Sequence, residues 1–175
     1  MFTEHNDYEH PHDRLEKMPL FRKGKEIQDV VCMIASLIDD EDEELGWMKQ
    51  FMLEDAYMLT AKIANAEGGD LYSIRMENAA LIRKAGNSLK LHIHSLRQCG
   101  FEYADYYQMV RDKVEEYRLL FIDWVAGFDQ THYIPDNWGL FNPPGVSPFD
   151  EPDNSGSDDF NPDWLNDFFG DDDDE

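Results

Sequence analysis

Asp55 and His92 are the residues of this chain best placed to do chemistry, because each lies on or beside an apolar helical stripe. A carboxylate and an imidazole held together away from water can pass a proton, since pairing and burial both move their proton affinities. Asn78 sits on the same stripe as His92, so that the three could form one polar layer. No activated Ser, glycine-rich phosphate loop or zinc-ligand spacing accompanies them. Their simpler reading is a hydrogen-bonded core layer that fixes the register of the helices. On that reading the chain is not an enzyme and uses no cofactor.

Metal-ligand patterns are sparse. His5, His10 and His12 cluster with Asp7, Glu9 and Asp13, residue types that ligate transition metals. They fall in an N-terminal stretch where nothing holds ligands in place. Glu9 and His12 make the one Glu-x-x-His of the chain, whereas a di-metal helical bundle needs two such motifs inside its helices. The acidic run from Asp39 to Glu44 lacks the alternating ligands and central Gly of an EF-hand loop. Cys32 and Cys99 fall on apolar sides of predicted helices and read as buried thiols rather than a disulfide. No metal is expected.

The elements that position these residues follow from apolar spacing. Residues 1–18 show no periodicity and read as a flexible N-terminal segment. A first helix begins somewhere from Pro19 to Lys25 and carries Ile27, Val30, Val31, Ile34, Leu37 and Ile38 at helical steps. Its C-terminal dipole is negative and disfavours the acids that follow. The connection is therefore placed at 39–42. A second helix, from about Glu43 to Ala66, carries Leu45, Met48, Met52, Ala56, Leu59 and Ile63, and Gly68 and Gly69 stop it. Asp70 is the expected N-cap of a third helix. Its stripe is Leu71, Ile74, Asn78, Leu81, Ala85, Leu89, His92, Leu96 and Cys99, a coiled-coil-like series. Gly86 within it costs about 1 kcal/mol against Ala and implies close approach of a neighbouring helix. After a turn at Cys99–Phe101, a fourth helix runs from about Tyr103 to Phe128 with Tyr106, Val110, Val114, Phe121 and Trp124 inward. The expected fold is all-α: an antiparallel up-down four-helix bundle over residues 19–129. Residues 130–149, rich in Pro and aromatic side chains, are expected to lie extended along the bundle, anchored by their rings. Residues 150–175 are expected to be a disordered acidic tail.

Charge is segregated. The net charge is −23, yet all 15 Lys and Arg lie at or before Arg118. Residues 136–175 carry 13 of the 38 carboxylates and no cation, so the charge divides into −10 before that point and −13 after it. Such a field repels nucleic acid unless a local basic patch overrides it, and it favours a basic protein partner. Phe160, Trp164, Leu165, Phe168 and Phe169 stand among the tail acids and are the expected partner-binding residues. Arg75, Arg83, Lys84, Lys90 and Arg97 on the third helix are a candidate nucleic-acid strip, with ion pairing to neighbouring acids as the plainer reading. The polar N-terminus lacks the basic start and apolar centre of a signal peptide. No run of 18 apolar residues is present. A cytoplasmic location and no membrane association are expected.

The segments IANAEGG, Ile63 to Gly69, and AGNSLKLHIHSLRQCGF, Ala85 to Phe101, together with YADYYQMVRDKVEEYR, carry a resemblance. They resemble the four-helix-bundle proteins encoded in intervening sequences of bacterial ribosomal RNA genes, and the related accessory proteins of diversity-generating retroelements. Cys99-Gly100-Phe101 stands where that family has a Leu-Gly-Tyr turn. The resemblance implies an antiparallel four-helix bundle that assembles into a ring and associates with nucleic acid or a ribonucleoprotein. The chain departs from the family in its acidity and its long aromatic-acidic tail, and both departures bear on the nucleic-acid role.

Two functions are therefore expected in order. The first is a non-enzymatic helical scaffold, homo-oligomeric, that binds a basic protein through its tail. The second is a nucleic-acid or ribonucleoprotein accessory factor whose basic strip on the third helix is masked by that tail.

Overall fold

Proline is tolerated in a first helical turn because its missing N–H has no partner there. Pro19 opens α2, Pro19–Ala35, and Pro11 stands first in a short α1, Pro11–Lys17. Then come α3, Glu43–Glu67, and α4, Tyr72–Gln98. A 3-10 turn, Ala104–Tyr107, leads into α5, Gln108–Ala126. The structure is a computed structural model describing residues 11–39 and 41–150, and among these it contains helices and no strand. His5, His10, the side chain of His12, and Phe160, Trp164, Leu165, Phe168 and Phe169 lie outside the described residues.

The chain is all-α. Helix α3 packs against α4, α2 against both α3 and α5, and α5 against α4. One core lies between them, centred on Ile27, Val31, Met52, Leu59, Leu89, Ile93 and Val110. Burial of such side chains contributes about 1.5–3 kcal/mol each.

Helix α1 differs from the flexible segment expected over 1–18. Leu15 and Met18 pack on the core, and Arg14 reaches the C-terminus of α3. Two apolar residues are too few to show a period, and a seven-residue helix is not stable alone. Docking, not local sequence, makes it a helix.

The helix ends are satisfied in three ways. The Asp42 carboxylate accepts from the Leu45 N–H at 3.0 Å, and Glu43 and Glu44 fill the positive first turn of α3. At the far end of α4, Gly100 adopts φ 73° and the Phe101 N–H returns to the Leu96 carbonyl at 2.9 Å. Asp70 does not cap α4 as expected. Leu71 is the N-cap residue, Asp70 pairs instead with His132 at 2.9 Å, and the His132 carbonyl accepts from the Tyr72 N–H at 2.9 Å. The chain returning after α5 thus supplies the cap from its backbone.

Asn78, Ala85, Leu89 and Leu96 of α4 and Val110 and Val114 of α5 are buried as expected, and the rest of each line is shifted. In α4 the buried positions are Tyr72, Asn78, Ala79, Ile82, Ala85, Leu89, Ile93 and Leu96, with Arg75 and Gly86 partly buried between them. Leu81 is only partly buried and Ile74 is exposed. Helix α4 carries apolar residues on two adjacent lines, and the simultaneous contact with α3 and α5 selects between them. At the start of α5 Tyr107, not Tyr106, is buried. The 3-10 turn has three residues per turn rather than 3.6 and so advances the inward phase.

Gly24, not Gly86, is where helices approach closely. A Cβ on Gly24 would stand 2.9 Å from Thr60 Cγ2, and Thr60 is fixed by a hydrogen bond from Gln28. A Cβ on Gly86 would meet only Val114 Cγ1, at 3.9 Å. Gly86 therefore leaves space between α4 and α5.

Residues 128–150 contain turns and no helix. The rings expected to anchor them mostly do not: Trp138 is 94% exposed and Phe149 91%, while Phe141 is half-buried. Asp136 organises the segment instead. Its carboxylate accepts from the N–H groups of Trp138, Leu140 and Phe141, and Asn142 bonds both sides of its peptide. These bonds hold the Asp136 carboxyl below its usual value. A short acceptor that satisfies several turn N–H groups fixes a loop without burying any ring.

Candidate functional site

The polar groups of the fold gather at three places. The first is Glu67, in the last turn of α3. Its Oε1 accepts from Arg75 of α4 and, at 2.9 Å, from the Trp124 indole of α5. Its Oε2 accepts from Arg14 of α1 at 3.2 Å. The Arg75 guanidinium also lies 4.5 Å from the centre of the Phe128 ring. One carboxylate thus ties α1, α4 and α5 to the end of α3. The sequence reading misses this, because an acid in a last helical turn opposes the dipole and carries no sign of a partner.

The second is the Asp55–His92 pair. The two side chains meet at 2.7 Å between α3 and α4, both largely buried. Asn78 does not join them. It lies fourteen residues before His92, about 21 Å along the helix, and its Nδ2 donates to its own helix at the Ile74 carbonyl, 2.8 Å away. The expected three-residue layer is therefore a pair and a separate residue. Beside the pair stands Tyr107, its ring edge-on to His92 at 6.4 Å. The Tyr107 hydroxyl is fully buried and has no hydrogen-bond partner among the described residues. Burial, and then the nearby Asp55, push its phenol upward, so it stays protonated.

That orphan hydroxyl has a measurable consequence. Tyr107→Phe is expected to leave stability unchanged or raise it by up to about 1 kcal/mol, because a desolvated, unpaired group is removed. Tyr117→Phe is expected to lower it by about 1 kcal/mol, since that hydroxyl donates to the Leu59 carbonyl at 3.3 Å. Urea denaturation should show a loss for Tyr117→Phe and none for Tyr107→Phe. Equal losses would mean that Tyr107 has a partner.

The third place is the groove between α4 and α5. Arg83, Lys90 and Arg97 follow one another at heptad spacing on the α4 side, and Arg111 and Arg118 do so on α5. Two carboxylates pair with this strip. Glu115 accepts from Lys90 and, at 2.8 Å, from Arg118, which hold its carboxyl down to about 2. Asp105 accepts from Arg97 at 2.9 Å. Arg83 makes no ion pair among the described residues. At mid-length the groove opens over Gly86 into a cavity of about 350 Å³. Ile82, Val114, Tyr117 and Phe121 line it, with Arg83, Lys90 and Arg118 around them.

Of the five cations expected to form a strip, two, Arg83 and Lys90, line this groove, and Arg97 is turned to Asp105 of the 3-10 turn. Arg75 is turned to Glu67, and Lys84 sits on the outward face of α4. Arg111 and Arg118 were not among the expected residues, although their heptad spacing is legible. What the sequence does not reveal is that Arg118 faces the same groove as Arg83 and Lys90.

A further cavity, of about 540 Å³, lies between the first turns of α4 and the returning segment, with Ile74, Ile134, Trp138 and Leu140 on its walls. Among the described residues no helix is long and apolar enough to cross a membrane, and no three His, Cys, Asp or Glu side chains converge to hold a metal. Cys32 and Cys99 are free and half-buried. No protein-family model, curated protein or solved structure matches the chain.

Proposed function

We propose that the chain is a non-enzymatic interaction protein, a helical scaffold that binds a basic protein partner through its aromatic-acidic C-terminal tail. The observation that carries this reading is the segregation of charge. Eleven carboxylates and no cation accompany Phe160, Trp164, Leu165, Phe168 and Phe169 in residues 151–175. Acids speed encounter with a basic surface, and large apolar residues supply the contact that lasts.

The scaffold is read as an antiparallel up-down four-helix bundle. Its support is that α2, α3, α4 and α5 each contact the next, α5 contacts α2, and short segments connect them. Exposed Trp47 and Phe51 on α3 and Leu91 on α4 favour self-association into a homo-oligomer, which would multiply weak tails. Free thiols fit a reducing compartment such as the cytoplasm.

The full-length chain and its Trp164→Ala/Phe168→Ala variant, compared by affinity capture from cell extract, test this. The variant is expected to lose the captured basic proteins, with its circular dichroism unchanged. Equal capture by both chains overturns the proposal.

A second reading is favoured by the cationic α4–α5 groove and by the resemblance to ribosomal intervening-sequence proteins. On it the chain is a nucleic-acid or ribonucleoprotein accessory factor. Binding of single-stranded RNA that weakens steeply with salt, and that is lost in Arg83→Glu, would favour it.

A further inference from the structure

We propose that the C-terminal tail binds the α4–α5 groove of its own chain, with the Trp164 ring seated over Gly86. This rests on the reading of the tail as the binding element of the chain. The tail would then be masked until a basic partner displaces it.

The groove has the chemistry of that occupant. Its three cations, Arg83, Lys90 and Arg118, face one paired carboxylate, Glu115, a local positive excess on a chain of net charge −23. Its floor is apolar and lacks a side chain at Gly86, leaving a cavity of about 350 Å³ beside Val114. An occupant must therefore offer a flat apolar group flanked by anions. Trp164 has Asp163 before it and Asp167 three residues after it. Arg83, without an ion pair among the described residues, and Arg118, which is half exposed, are placed to receive them. Arginine also suits contact with both a carboxylate and an indole face.

The chain reaches. Pro148 lies against Gly139, whose neighbours Trp138 and Leu140 line the cavity at the first turns of α4. The stretch of α4 from Glu77 to Gly86 spans about 14 Å. The fourteen residues from Asp150 to Trp164 span up to about 50 Å when extended. A tether of this length raises the effective concentration of the tail at its own groove above that at another copy.

The test uses the full-length chain carrying 5-fluorotryptophan, with its four tryptophan resonances assigned by single Trp→Phe substitutions. At low salt the Trp164 fluorine resonance is expected to stand away from its position in the urea-unfolded chain. It should return there in about 1 M salt, where charges are screened within about 3 Å. Arg83→Glu and Gly86→Met, each in the full chain, should return it likewise while the Trp124 resonance stays in place. Dilution should leave it unmoved.

Four results overturn the proposal. They are a Trp164 resonance at the unfolded position in low salt, a shift that both groove variants preserve, and a shift that disappears on dilution, which assigns the groove to a second copy. The fourth is binding of a single-stranded RNA oligomer in the groove with Trp164 unmoved. The outcome separates from that of partner capture. A free Trp164 that is still needed for capture overturns the docking and leaves the function. A docked Trp164 with capture intact in Trp164→Ala/Phe168→Ala does the reverse.

Discussion

Glu67→Ala is expected to lower the stability of the fold by about 3–5 kcal/mol, the cost of leaving a buried cation without its partner. The cation is Arg75, whose Nε is already buried without a hydrogen bond among the described residues. The change also strips the Trp124 indole of its acceptor. Arg14 matters little to this sum, because it is mostly exposed and solvent screens it. Arg14→Ala is therefore the control, with an expected loss under about 1 kcal/mol. A native stability of about 5–15 kcal/mol makes the difference easy to read in urea denaturation. If the two variants lose the same amount, Glu67 does not bind the helix ends together as described.

Ile93→Ala should cost about 2–5 kcal/mol, while Leu91→Ala, two residues away, should change stability by no more than about 0.5 kcal/mol. Ile93 is fully buried in the core and Leu91 is 63% exposed. Truncation of Ile93 removes transfer energy and leaves a cavity that the surrounding Leu89, Leu96 and Met52 can only partly fill. Thermal melting should separate the two variants by about 4–20 °C. The contrast tests the register of α4 directly, because a rotation of that helix would reverse the two losses.

The helices were legible because their signals are local. Pro19 at a helix start, Asp42 ahead of Glu43 and Glu44, and Gly100 after Gln98 are each decided by a turn of chain. The stripe of α3 was legible too, since Leu45, Met52, Ala56, Leu59 and Ile63 form one line at steps of three, four and seven. Helix α4 was less so. Its Leu81 and His92 lie one position from the buried Ile82 and Ile93, and periodicity alone cannot choose between adjacent apolar lines. The stripes brought Asp55, Asn78 and His92 forward together as a candidate layer, but not that Asp55 meets His92 while Asn78 stands apart, because sequence spacing does not say which polar residues reach across a helix pair.

By itself the sequence determined that the described chain is helical, roughly where its four long helices lie, and that its anionic and aromatic residues concentrate after the last cation. Those properties follow from steric preference, hydrogen-bond capping and charge count, none of which needs a neighbour. Only the tertiary structure decided that α1 is a helix, that a returning backbone carbonyl caps α4, and that Glu67 joins three other helices. It also decided that Asp55 and His92 meet without Asn78 and that Arg83 and Lys90 share one groove with Arg118. Each of these depends on which faces of distant segments come together, and packing of the whole core sets that choice.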